Sequence, residues 1–118
     1  MNQFLPDFFR VEQKVHAPGL DDVETATRLA LAKLPVAKFV RPGMKVAVGA
    51  GSRGISNYAS IVRVVCQELK KLGAEVFIVP AMGSHGGATA MGQLEVLTSS
   101  GITESAMEVP IQIGRAHV

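Results

Sequence analysis

The chain has one cysteine, Cys66, in 118 residues. An internal disulfide framework is therefore excluded, and so is a cysteine-based zinc site. Such usage fits a reducing compartment. Charge of one sign is also scarce. The net charge is +2, the basic residues are scattered, and Lys70–Lys71 is the one adjacent basic pair. A basic stripe with interleaved aromatics is missing, so nucleic acid is not an expected partner. No apolar run approaches the roughly 20 residues of a membrane span. The opening MNQFLPDFFR has neither the basic n-region nor the long apolar h-region of a signal peptide. These absences leave the cytoplasm as the expected location, with no membrane partner.

What remains is an ordinary globular composition, 47% apolar and 19% charged. A chain of this size buries about two-thirds of its unfolded surface, enough for one domain core. Residues 8–15, FFRVEQKV, alternate as a strand would, with Phe9, Val11, Gln13 and Val15 on one face. Asp21 and Glu24 have capping-box spacing for a helix with Val23, Ala26, Ala30, Leu31 and Leu34 on one side. Pro35 ends it, and FVRPG turns the chain. MKVAVG, residues 44–49, reads as a strand buried on both faces. Ser56 is an expected N-cap for a long helix in which Ile61, Val64, Val65, Glu68, Leu69 and Leu72 follow helical spacing. Gly73 suits its C′ position. EVFIVP, residues 75–80, is the next buried strand, and Thr89 caps a third helix that Gly101 ends. MEVPIQI starts a further strand. The order β-α-β-α-β-α-β predicts an α/β fold, a mostly parallel sheet with helices on its faces.

Two glycine-rich loops sit where such a sheet binds ligands, at the carboxyl ends of strands. The first, GAGSRG, matches G-x-G-x-x-G through Gly49, Gly51 and Gly54. Glycines there allow backbone N–H groups to approach a phosphate, and a helix N-terminus follows. Ser52 adds a hydroxyl, and Arg53 adds a planar fork for a carboxylate or phosphate. A dinucleotide fold also needs an acidic residue at the end of the next strand. Glu75 stands at the start of that strand and Pro80 at its end, which argues against a dinucleotide. The second loop, PAMGSHGG, places Ser84 and His85 among Gly83, Gly86 and Gly87. A loop imidazole there can act as general acid or base. The plainer alternatives are two tight turns and a solvent-exposed histidine. His16 reads as a surface turn residue, Cys66 and Tyr58 as packing, and Met82 as packing or site lining.

VAVGAGSRGI, a long helix and then GAEVFIVPAMGSHGGATAMGQ together resemble the N-terminal domain of the lactate racemase family. The likeness covers most of residues 8–112 and is clearest over 44–101. It is nearest the branch with a PAMGSHGGAT loop. The resemblance implies a Rossmann-like N-terminal domain fragment (residues 1–112) of a racemase or epimerase acting on a 2-hydroxy acid. It also implies a nickel pincer nucleotide as cofactor, a nickel ion held by a sulfur-bearing pyridinium mononucleotide. In characterised members the first loop reads Asp-x-Thr-Arg-Pro. Its substrate-contacting arginine falls on Arg53, its threonine on Ser52, its aspartate on Ala50 and its proline on Gly54. The second loop reads Gly-Thr-His-Arg, with a catalytic base on His85, the threonine on Ser84 and the arginine on Gly86. The resemblance thus implies His85 as a proton shuttle and Arg53 and Ser52 as substrate contacts. Gly49, Gly51, Ser52, Gly54, Gly83 and Ser84 are then expected at the nucleotide. The partner histidine, the cofactor-tethering lysine and the nickel-ligating histidine are expected in a C-terminal domain beyond residue 118, so no metal ligand is expected here. The alternative reading is a phosphate- or nucleotide-binding module without chemistry of its own. IGRAHV, residues 113–118, is what one frame of a common sequencing-adapter oligonucleotide encodes. Native sequence is expected to stop near Gln112, with a natural terminal strand as the plainer alternative, and His117 is excluded from any metal site.

Overall fold

A computed structural model describes residues 6–114. Helix α1 (Val23–Ala32) and the single turn α2 (Val36–Phe39) precede strand β1 (Lys45–Ala50). Helix α3 (Tyr58–Lys71) then crosses to strand β2 (Glu75–Pro80). Helices α4 (Ala90–Ser99) and α5 (Glu104–Met107) follow. The two strands pair in parallel, from Lys45↔Glu75 to Ala50↔Pro80. The chain is thus mixed α/β, with a small parallel sheet and helices packed on it. No helix of the described residues is long and apolar enough to cross a membrane.

The core forms where α3, α4 and α5 meet the sheet. Ile78, Leu97 and Ile102 are fully buried there, beside Cys66 and Met107. Burial raises the Cys66 thiol above its ordinary range and keeps it protonated at neutral pH. Helix α3 is covered on two sides. Val62, Cys66 and Leu69 join the core cluster, whereas Val64 is fully buried outside it. At 100° per residue, Val64 lies opposite Val62 and Cys66, on the side that meets α1. There Glu24 pairs with Arg63, and Arg28 pairs with Glu68 at 3.3 Å. Lys71 holds the same Glu68 at 2.6 Å, and that hydrogen bond is the main reason its carboxyl lies below the usual range. These exposed and half-exposed pairs fix the docking of α1 more than they stabilise it.

Several sequence expectations fail here for identifiable reasons. Residues 8–15 form no strand; they are exposed and have no regular secondary structure. Alternation alone cannot make a strand when no sheet edge lies alongside to satisfy its amides. β1 is not buried on both faces: Lys45, Ala47 and Gly49 are exposed and Val46 and Val48 half-buried. The cap of α1 is Asp22, not Asp21, and its carboxylate accepts from the Thr25 N–H and hydroxyl. That one-residue shift puts Thr25, not Glu24, at the third helical position, and Glu24 pairs instead with Arg63 and Arg28. No α1 residue is fully buried, and Leu34 stays exposed beyond its end. Ser56 does not cap α3; Asn57 does, in left-handed conformation with φ +59° and no side-chain bond. The final strand shrinks to one bridge, in which the Ile78 N–H donates to Pro110 O and the Gln112 N–H donates to Ile78 O, both at 2.8 Å. β2 therefore lies between β1 and residues 110–112. The proposed foreign tail begins inside the described residues at Ile113 and Gly114; its remainder, with His117, lies outside them.

Candidate functional site

Parallel pairing in register decides the geometry of the two loops. Ala50 and Pro80 are partners at the carboxyl ends of adjacent strands, and adjacent strands run about 4.8 Å apart. The glycine loops must therefore leave the sheet side by side. One further rung prolongs the ladder: the Ala81 N–H donates to Ala50 O at 2.7 Å. Tyr58, the first residue of α3, donates its hydroxyl to Gly51 O at 3.1 Å and secures the first loop from the helix side. Met82, in the second loop, is buried in the core and also lines the cleft between the loops, so it serves both packing and lining.

The two loops touch through side chains. Ser52 Oγ and His85 Nδ1 hydrogen-bond across 33 residues of sequence. His85 itself is exposed and Ser52 half-buried. They border a cleft of about 680 Å³ lined by both loops, with Arg53, Ser84 and Tyr58 around its rim. That volume falls within the roughly 300–1,000 Å³ of small-molecule sites. Arg53 is exposed and takes part in none of the ion pairs of the described residues. No carboxylate lines the cleft. The hydroxyls of Ser52, Ser84 and Tyr58, an imidazole and a guanidinium around backbone amides form an environment for an anion.

Seven of the eight expected site residues occupy this region. Gly49, Gly51, Ser52, Arg53, Gly83, Ser84 and His85 line the cleft. Gly54 lies just past it, in open space. Ala50 does not face the cleft. It is fully buried and contributes packing. Gly86 is glycine for a physical reason. A Cβ there would stand 2.5 Å from Gly92 C and 2.6 Å from Gln93 N, so the first turn of α4 leaves no room for a side chain. His16 is exposed, outside the cleft. Among the described residues no group of three His, Cys, Asp or Glu side chains is placed to hold a metal ion.

The residue that sequence reading missed is Gln93, one turn into α4. Its Nε2 donates to Gly83 O at 2.9 Å and to His85 O at 3.4 Å. The available signal was an amide four residues beyond the Thr89 N-cap, where a helix side chain leans back over the preceding turn.

No protein-family model matches the chain, and neither a curated protein nor a solved structure does so significantly.

Proposed function

We propose that this chain is the Rossmann-like substrate- and cofactor-binding domain of a lactate-racemase-like enzyme that inverts the configuration of a 2-hydroxy acid. The observation that carries the reading is the Ser52–His85 hydrogen bond beside Arg53, in a cleft without carboxylates. Arg53 offers a bidentate fork to the substrate carboxylate. His85, positioned by Ser52, takes the proton from the substrate hydroxyl and returns it. Ser84 and the backbone of Gly49, Gly51 and Gly83 face the same space and suit a mononucleotide phosphate. Donors of this kind fit the nucleotide part of a nickel pincer cofactor. The nickel itself finds no ligand group among the described residues, so no step is derived through it. When bound, such a cofactor would supply a transient hydride acceptor. A C-terminal domain of the same protein and a cytoplasmic setting belong to this reading.

The test is racemization of 2-hydroxy acids by the full-length protein and its variants. His85→Ala is expected to lower kcat by about 100-fold or more. Arg53→Lys is expected mainly to raise KM, because an ammonium cannot reproduce the fork. If the racemase is active and His85→Ala leaves its rate intact, the proton-shuttle role is wrong. The carboxylate-free cleft equally suits a second reading, a phosphate- or nucleotide-binding module. Phosphate or mononucleotide binding with no racemization by the full-length protein would favour it.

A further inference from the structure

We infer that Gln93 is the positioning residue of the His85 loop, holding the imidazole where Ser52 can meet it. The inference rests on the reading of His85 as the working group of the site, and it assigns a role to a residue outside both glycine loops. Backbone carbonyls only accept hydrogen bonds. A side chain that meets the carbonyls of Gly83 and His85 together must therefore present donors, and the Gln93 amide has two on one nitrogen. A glutamate of the same shape has none when ionised. The amide spans the loop around its histidine, from two residues before it to the histidine itself. Its base is fixed, because the Gln93 N–H donates to Thr89 O at 3.0 Å and Thr89 caps α4.

A second observation supports the same conclusion independently. The loop is pressed onto α4 backbone to backbone, and a Cβ on Gly92 would fall 1.9 Å from Gly86 O. The Thr89 hydroxyl donates to Gly86 O at 3.2 Å and accepts from the Gly92 N–H at 3.1 Å. These contacts hold the loop downstream of His85, leaving Gln93 to fix it upstream and at the histidine. Without the amide, the peptides from Gly83 to His85 are held by backbone turn bonds, among them the His85 N–H to Met82 O and the Ala88 N–H to Ser84 O. Such turn bonds close the backbone, whereas the amide alone reaches the loop from α4 at both Gly83 and His85.

The experiment is nitrogen-15 NMR of the histidine side chains at about pH 8, where an ordinary imidazole is neutral. Wild type, Ser52→Ala, Gln93→Ala and Gln93→Glu are compared, with His16 as an internal reference. Ser52→Ala defines the His85 signature without its partner. Both Gln93 variants are expected to move the His85 nitrogens more than halfway to that signature, with His16 unchanged. Gln93→Glu is the discriminating variant. A space-filling role predicts that it resembles wild type, whereas positioning through donated hydrogen bonds predicts that it resembles Gln93→Ala. Wild-type His85 shifts in a folded Gln93→Ala or Gln93→Glu protein would overturn the proposal. So would a Ser52→Ala spectrum identical to wild type, since there would then be no contact to position. No substrate is needed, so this result and the racemization result fail separately.

Discussion

The two glycine loops look alike in sequence and are built on different grounds. In the first, Gly49, Gly51 and Gly54 all avoid the left-handed region. A Cβ would meet Ala81 Cβ at 3.4 Å from Gly49 and Ala81 O at 3.6 Å from Gly51, both ordinary contacts, and nothing from Gly54. In the second, Gly83, Gly86 and Gly87 have φ of +58°, +66° and +66°, and Gly86 lies against the α4 backbone. Glycine is required by steric geometry in the second loop. In the first it keeps the cleft shallow and leaves amides accessible. A glycine pattern therefore does not reveal whether backbone conformation or ligand access is its reason, and only the second loop is built as a rigid mount.

The largest effect expected from that contrast is at the contact between loop and helix. Gly92→Ala places a methyl group 1.9 Å from Gly86 O, and backbone rather than a flexible side chain must give way. A cost of about 3 kcal/mol follows, at the upper end of overpacking. Chemical denaturation measures it as a lowered midpoint at unchanged slope. Gly86→Ala combines a similar clash with a left-handed alanine, itself about 1–2 kcal/mol. Should both variants melt like wild type, the loop is not pressed onto α4 and the contrast between the loops disappears.

Part of this arrangement was legible because element order favours a parallel sheet. Two apolar strands joined by one helix point to a parallel pair, and if the strands are neighbours their trailing loops are too; the structure supplies that adjacency and with it the meeting of Ser52 and His85. The third helix and its Thr89 cap were equally readable, because a capping hydroxyl is a local signal. The strand at residues 8–15 was not. Its alternation is real, but strand formation depends on an available edge, which no local pattern encodes. The role of Gln93 was hidden for the same reason. Its partners, the Gly83 and His85 carbonyls, are oriented by left-handed glycines, and the direction of a carbonyl cannot be read from residue types.

The first loop offers the opposite expectation. Gly54→Ala adds a methyl group into open space at a conformation that alanine tolerates. The folded state loses nothing, while the unfolded chain loses freedom. Stability should rise by about 0.4–1 kcal/mol. The same substitution thus changes sign between two loops that share a composition. A destabilised Gly54→Ala protein would mean that the first loop also imposes a backbone constraint.

The smallest effect is the most discriminating, because it concerns the one residue of the second loop that breaks its rule. Ala88 follows Gly86 and Gly87 in the left-handed region, with φ +55°. Its Cβ opposes that conformation by about 1–2 kcal/mol. Replacing it with glycine removes the strain but returns roughly 0.4–1 kcal/mol of freedom to the unfolded chain. The two terms nearly cancel, leaving Ala88→Gly about 0.5 kcal/mol more stable than wild type. The sign is informative. The Ala88 N–H donates to Ser84 O at 3.1 Å and closes the turn around His85. A stabilising Ala88→Gly would identify the alanine as a strained position maintained by the bonds on either side of it. If denaturation instead shows a loss of 1 kcal/mol or more, the alanine methyl makes a contact that holds the turn. The mount for His85 would then depend on packing at residue 88 as well as on the glycines before it.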